Sequence, residues 1–188
     1  SLPGRELVAE ACAQFENSFD AKWGGFGGAP KFPSTMNLDC IIRNYIDNPT
    51  PAAKNIVTTS LDAMASGGMY DHIGGGFSRY SVDEKWLVPH FEKMLYDQAL
   101  LLRVYTHAAV LFKSEAYKQI CSEIIEYVLR DLRHPDGGFF SAEDADSLDD
   151  QGHSHEGHFY VFTPDQLRTI LSPDEFEVAC DHYEITQT

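Results

Sequence analysis

The residues best suited to chemistry are concentrated between Gly67 and Ala99, in the segment GGMYDHIGGGFSRYSVDEKWLVPHFEKMLYDQA. Carboxylates, imidazoles and a guanidinium alternate there with large rings, a mixture that packing alone does not require and that suits the floor of a polar pocket. His90 stands close in sequence to Glu92 and Asp97. An imidazole beside a carboxylate is a plausible general acid or base, because histidine changes charge between about pH 5 and 8. If Pro89 opens a helix, His90, Lys93 and Asp97 share one face by their i, i+3 and i+7 spacing, with Glu92 and Tyr96 on the neighbouring face. His90, Glu92, Asp97 and Asp71 are therefore the catalytic candidates, and His72, Arg79, Tyr80 and Trp86 the substrate-binding ones. The plainer reading of the same spacing is a solvated Glu92 and Lys93, with His90 capping or packing.

Three other segments carry chemistry-bearing residues. Gly74, Gly75 and Gly76 let the backbone turn or approach a ligand closely, and Arg79 just after them suits a carboxylate or a sugar hydroxyl. Their spacing and context are not those of a dinucleotide or P-loop site. Asp144, Asp146 and Glu156 supply carboxylates of the kind that glycoside hydrolysis pairs as acid and base, and they join the substrate-binding candidates. Calcium binding would need a fuller EF-hand pattern, and capping of turns through backbone amides explains the same residues equally well. His153, His155 and His158 crowd a loop whose Asp149-Asp150-Gln151-Gly152 run predicts exposure, so no shared ligand geometry is expected and neither a metal nor a cofactor is assigned. In Gly24 to Pro33, the rings of Phe26 and Phe32, with Trp23 beside them, either line a sugar-stacking surface or plug the end of the core, with packing favoured.

Helices must position these groups. Apolar residues recur at helical spacing in five runs: Leu7 to Phe19, Leu38 to Ile46, Ile56 to Met64, Phe91 to Phe112, and Tyr117 to Leu132 after a cap at Ser114. Thr163-Pro164-Asp165-Gln166 and Ser172-Pro173-Asp174-Glu175 read as capping boxes that start two shorter helices. Gly138 to Ser141 and His158 to Phe162 are expected to pair as strands around the polar loop Glu143 to Glu156. A repeating rhythm of helix, Gly-Gly-apolar and loop is visible at Gly24-Gly25-Phe26, Gly67-Gly68-Met69 and Gly137-Gly138-Phe139. Stacked helical hairpins with elaborated loops at one end follow from it, in a closed toroid or an open solenoid.

The chain has 188 residues, 43% hydrophobic and 23% charged, which is ordinary for a globular domain with a sizeable core. A net charge of −15, from 29 acidic and 14 basic side chains, would repel a phosphate backbone, so no nucleic-acid partner is expected. No run of residues is apolar enough to span a membrane. Cys12, Cys40, Cys121 and Cys180 form no CxxC pair, and the first three fall on apolar helix faces, as expected of buried thiols in a reducing, cytoplasmic setting. The chain shows no signal-peptide pattern and begins with Ser1, which suggests a start inside a longer protein.

Taken together and in order, GGFGGAPKFP, GGMYDHIGGGFSRYSVDEKWLVPHFEKMLYDQALL, GGFFSAEDADS and EGHFYVFT resemble the spermatogenesis-associated protein 20 family, from about Phe19 to Thr163. The resemblance implies a mostly α fold, part of a six-hairpin (α/α)6 toroid similar to N-acylglucosamine 2-epimerase and glycosidase toroids, with a short β-hairpin in a long loop. Family members also carry a thioredoxin-like domain, which residues 1–188 do not contain; this chain resembles only the first part of the toroid. Its seven expected helices are fewer than six hairpins need, so self-association or the missing toroid half is expected to cover the open edge. Met69 and Gln98 depart from the family pattern, and the histidine-rich loop from Gly152 to His155 is individual to this chain.

The expected function is carbohydrate processing, epimerase-like, isomerase-like or glycosidase-like. In an epimerase or isomerase His90 would transfer the proton, Asp97 would orient it and Arg79 would stabilise an enolate. The alternative is a non-catalytic scaffold that binds a glycan or a protein for a thioredoxin-like neighbour.

Overall fold

The computed structural model describes residues 4–186. Two compact units divide the chain, Ser1–Ala145 and Asp146–Thr188. The first holds five helices: α1 (Arg5–Ser18), α2 (Thr35–Asp47), α3 (Pro51–Ser66), α4 (Leu95–Phe112) and α5 (Glu115–Tyr127). It also holds four two-residue strands: β1 (Tyr80–Ser81), β2 (Pro89–His90), β3 (Lys93–Met94) and β4 (Ala142–Glu143). β1 pairs antiparallel with β2, and β3 with β4. The second unit consists of a hairpin, β5 (Asp146–Leu148) with β6 (Ser154–Glu156), then a short 3-10 turn and the helices α6 (Pro164–Ile170) and α7 (Pro173–His182).

The helices form where the apolar stripes require them. α3 starts on Thr50, whose hydroxyl accepts from the Ala53 amide, with Pro51 in the first turn. It buries Ile56, Val57, Leu61 and Met64 on one face, and α4 buries Leu101, Val104, Tyr105 and Ala108. Side chains of this size contribute roughly 1.5 to 3 kcal/mol each when fully buried. α2 packs against α1, α3 and α4, and α4 packs along α5. Tyr105 locks α4 to α3 by donating to the Leu61 carbonyl at 2.7 Å. Asp39 on α2 is nearly buried and accepts from Arg43 (2.9 Å) and from Arg103 (2.6 Å) and His107 (2.9 Å) of α4, so an ionic cluster joins these helices. Both capping boxes of α6 and α7 form as their sequences predict.

One turn recurs in the first unit. Asp20 to Phe26 and Asp71 to Phe77 share the pattern Asp-x-x-x-Gly-Gly-Phe. In each, the first glycine amide donates to the aspartate carbonyl, and the aspartate amide donates to the carbonyl of the second glycine. Bridges Phe19↔Phe26 and Tyr70↔Phe77 close both turns. A third version, closed by Arg133↔Phe139, is one residue shorter and has His134 where the others have aspartate. The middle member of the repeat is therefore Gly75-Gly76-Phe77, in place of the expected Gly67-Gly68-Met69. Gly67 and Gly68 answer a different need: a Cβ on Gly68 would lie 2.0 Å from the Leu87 carbonyl oxygen.

Two local expectations are corrected. The fourth helix does not begin near His90; it begins at Leu95, because the segment before it is drawn out into β2 and β3 by pairing with β1 and β4. The expected strand pair of Gly138 to Ser141 with His158 to Phe162 is absent among the described residues. The hairpin forms inside the polar loop as β5 and β6, while His158–Tyr160 is a 3-10 turn. The fifth helix ends its α-helical course at Tyr127 and continues to Leu132 as a π-helical turn.

Candidate functional site

The β1/β2 ribbon builds the most chemically varied surface of the first unit. Its connecting loop is organised by Asp83, whose carboxylate accepts from the amides of Lys85, Leu87 and Val88. The ribbon sets Tyr80 directly opposite His90, and their rings stack with centroids 4.9 Å apart and planes 20° from parallel. Lys31 bridges to Ser81 through two backbone hydrogen bonds. This fixes Phe32 against the other side of Tyr80, at 4.7 Å between ring centroids. Phe32, Tyr80 and His90 thus form a continuous aromatic row, with Phe32 45% exposed.

Beyond β1 the pairing shifts by one residue. The Arg79 amide donates to the Glu92 carbonyl at 2.8 Å, where the Tyr80↔His90 register would place residue 91. Glu92 is thereby held between two partners: its Oε2 is 3.4 Å from an Arg79 guanidinium nitrogen and 3.8 Å from His90 Nε2. The Arg79 guanidinium also lies over the Tyr96 ring, 6.0 Å from its centroid. Asp97, in the first turn of α4, feels the same groups. Burial pushes its carboxyl up to about 6; Arg79 opposes that rise and Glu92 adds to it. Its Oδ2 is buried without a hydrogen-bond partner.

The structure thus brings Arg79, Tyr80, His90, Glu92 and Asp97 together. It does so through a bulged ribbon and a helix start rather than one helical face. The remaining candidates are placed differently. Asp71 accepts from Lys93 Nζ at 2.8 Å and from the amides of Ile73 and Gly74, so its carboxylate is committed to the second Gly-Gly turn. Burial alone would raise its pKa, but the hydrogen bonds from Lys93 and Gly74 hold the carboxyl below the ordinary range. Trp86 is fully buried, and its indole N–H donates to the Trp23 carbonyl at 2.9 Å. His72 is exposed and places Nε2 2.9 Å from the Gly67 carbonyl oxygen. Asp144 is exposed in the first unit, whereas Asp146 and Glu156 face each other across the hairpin of the second.

Three features lie outside the site residues read from the sequence. Tyr96 lies against the Arg79 guanidinium, and Phe32, for which the sequence favours packing over sugar stacking, is half-exposed against Tyr80. Lys31 and Lys93, both essentially buried, pair with Asp20 and Asp71; no local pattern marks a lysine as buried. The third corrects an expectation: two histidines of the polar loop do share ligand geometry, since the ligand atoms of Asp149, His153 and His155 at the β5/β6 tip all lie within 4.8 Å of one another.

The fold is that of known toroid proteins. A sugar epimerase from a ruminal bacterium matches with a TM-score of 0.64 at 12% identity, over 73% of this chain and 40% of that one. Cellobiose 2-epimerase from Spirochaeta thermophila matches with 0.64 at 19% identity (74% and 40%), and D-mannose isomerase with 0.56 at 15% (74% and 40%). The chain is a mostly helical protein with the architecture of part of an (α/α)6 toroid.

Its sequence relatives are more specific. Mouse spermatogenesis-associated protein 20 is 42% identical over 183 residues, covering 91% of this chain and 23% of the mouse protein. The human protein is 41% identical over 175 residues (90% and 22%), and an uncharacterised Caenorhabditis elegans protein 40% identical over 194 residues (96% and 26%). The chain is homologous to a segment of the spermatogenesis-associated protein 20 family, and it spans about a quarter of the length of these relatives. No family model matches it. No described helix is long and apolar enough to cross a membrane.

Proposed function

We propose that this segment supplies the sugar-facing, proton-transferring wall of a carbohydrate epimerase or isomerase. The observation that carries the reading is the half-buried Asp97 carboxyl, which has one buried, unpartnered oxygen and is pushed up to about 6 close to Arg79 and to Glu92, the carboxylate beside His90. A carboxyl tuned toward neutrality within a cluster of one imidazole and one guanidinium is an acid/base arrangement. Phe32, which extends the stacked row of Tyr80 and His90 and is 45% exposed, offers apolar ring surface against which a pyranose can stack.

Epimerisation next to a carbonyl needs a base, an enolate stabiliser and an acid. In this reading His90 removes the proton from the carbon beside the carbonyl of an open-chain sugar, with the Glu92 carboxylate stabilising the imidazolium that forms. The Arg79 guanidinium stabilises the enolate oxygen. Asp97, in its acid form, returns a proton to the carbon from the opposite face, and the two groups reset by exchanging protons with water. The likeness in fold to cellobiose 2-epimerase and D-mannose isomerase supports a sugar as substrate.

The test is solvent exchange. The full-length protein, incubated in D2O with glucose, mannose or cellobiose, is expected to place deuterium on the carbon next to the carbonyl. His90→Ala should slow this by at least about a hundredfold, the lower range for a general base. An unchanged rate in His90→Ala, or no exchange with any of the three, rejects the assignment in favour of a glycan-binding or protein-binding scaffold.

A further inference from the structure

At the tip of the second unit's hairpin, Asp149 follows β5, His153 precedes β6 and His155 lies within it. The tip is closed by backbone hydrogen bonds, Asp149 amide to His153 carbonyl at 2.9 Å and Gly152 amide to Asp149 carbonyl at 3.0 Å, with Gly152 at φ +82°. Oδ1 of Asp149 accepts from the amides of Gln151 and His153, both at 2.8 Å. That double contact fixes the plane of the carboxylate and points the other oxygen at the imidazoles. Oδ2 is 3.1 Å from His155 Nε2 and 3.5 Å from His153 Nδ1.

These separations are close to the edges of a metal coordination polyhedron. Four ligands at the 2.0 to 2.1 Å bond length of zinc stand about 3.3 Å apart at the corners of a tetrahedron. The two measured edges bracket that value, and all three ligand atoms lie within 4.8 Å of one another. Both imidazoles are mostly exposed, so a ring rotation at the surface can close the third edge. Imidazole nitrogens with one carboxylate select late first-row divalent ions over calcium or magnesium, which prefer oxygen throughout.

We propose that Asp149, His153 and His155 form a binding site for a divalent transition-metal ion of the zinc class. The ligands span seven residues of one hairpin, so the β-turn preorganises the site. The amides of Gln151 and His153 act as an outer shell that orients the carboxylate. A bound ion would cross-link the tip of the hairpin. The site is independent of the sugar chemistry proposed for the first unit.

The experiment is a titration of the protein, prepared without a histidine tag, with Zn2+ by calorimetry and with Co2+ by visible absorption. One equivalent is expected to bind, with the intense d–d bands of a low-coordinate nitrogen and oxygen site. His153→Ala, His155→Ala and Asp149→Asn should each weaken binding by about tenfold or more, while His134→Ala in the first unit leaves it unchanged. Without any substitution, Zn2+ should shift the imidazole resonances of His153 and His155 ahead of those of His72, His90, His107 and His134. Absence of saturable binding at a hundredfold excess of Zn2+ overturns the proposal, as does binding in His155→Ala equal to wild type, or a first shift at any of those four histidines.

Discussion

The ammonium of Lys93 stands 2.8 Å from Asp71 Oδ2 and 3.0 Å from the Gly75 carbonyl, in the same arrangement by which Lys31 meets Asp20 and the Gly24 carbonyl. Each lysine also lies near an aromatic ring, Tyr127 for Lys93 and Trp86 for Lys31. Two turns separated by about fifty residues of sequence are therefore sealed by the same buried cation, which reaches each from a different following segment. In the second copy that segment is β3, so the lysine ties the Gly-Gly turn to the ribbon that leads into Asp97.

Removing one charge of this pair should cost far more than the pair itself is worth. In Asp71→Asn the buried Lys93 ammonium loses the Asp71 carboxylate, and a loss of about 3 kcal/mol is expected in urea unfolding. Asp165→Asn, at the exposed pair with Arg168, should change stability by less than about 1 kcal/mol. The double change Asp71→Asn with Lys93→Met should recover part of the loss. Equal midpoints for Asp71→Asn and Asp165→Asn would show that the buried pair has no special weight. Asp20 and Asp71 are both held below the ordinary carboxylate range despite burial, by their lysine and backbone hydrogen bonds. A depressed carboxyl contributes stability that is present above the unfolded value near 3.9 and lost as pH falls through the folded one, so an acid limb below about pH 4 is expected.

The second and third copies of the turn offer an internal control on glycine. Gly76 has φ +78°, and a Cβ there would lie 2.6 Å from the Tyr127 ring; Gly138 has φ +75° with nothing within 4 Å. Gly138→Ala pays for the left-handed backbone alone, about 1 kcal/mol. Gly76→Ala must also displace a buried ring and should cost at least about 2 kcal/mol more. Thermal melts of the two variants check this, and similar losses would mean that Tyr127 yields easily.

The sequence made the helical architecture and its capping boxes visible because each is a local pattern, as at Thr163 to Gln166 and along Ile56, Val57, Leu61 and Met64. It also located the candidate site, since Arg79, His90, Glu92 and Asp97 are close along the chain. Their arrangement was not legible. Pro89 reads as a helix entrance, yet residues 89–94 have partners in Tyr80–Ser81 and Ala142–Glu143, and pairing with distant segments overrode the local signal. The middle repeat was misread for a related reason: Gly67-Gly68-Met69 and Gly75-Gly76-Phe77 look alike as short strings, and it is the aspartate four residues before the glycine pair, with its hydrogen bonds, that tells them apart. Gln98 serves that same turn by bonding both the amide and the carbonyl of Phe77.

Asp97 predicts an unusual pH dependence. Its carboxyl is raised to about 6 when folded, mainly by burial, against about 3.9 in the unfolded chain. The folded state then binds more protons than the unfolded one between these values, so its contribution to stability falls as pH rises from about 4 to 6 and stays lost above. Asp97→Asn removes that penalty. The variant should be about 1 to 2 kcal/mol more stable than wild type at pH 7, after allowance for solvent screening of a half-buried group, with the difference shrinking toward pH 4. A constant difference across that range would mean that Asp97 titrates normally.

Cys12 of α1 and Cys40 of α2 bring their sulfurs within 3.9 Å, a proximity that the absence of a CxxC motif conceals. Burial pushes the Cys12 thiol up to about 11, with Cys40 and then Glu16 adding to the rise. Only the thiolate is nucleophilic, so at pH 8 about one Cys12 in a thousand is reactive at any moment. Against a reference value of 9.0, the rise alone lowers the thiolate fraction nearly a hundredfold, and the 4% exposure of the residue slows access further. Iodoacetamide at pH 8, with modified peptides followed by mass spectrometry, should therefore label Cys12 at least about a hundredfold more slowly in the folded protein than in urea. Labelling at the unfolded rate would mean that α1 and α2 separate readily, and the contact between the two thiols would then be a passing one.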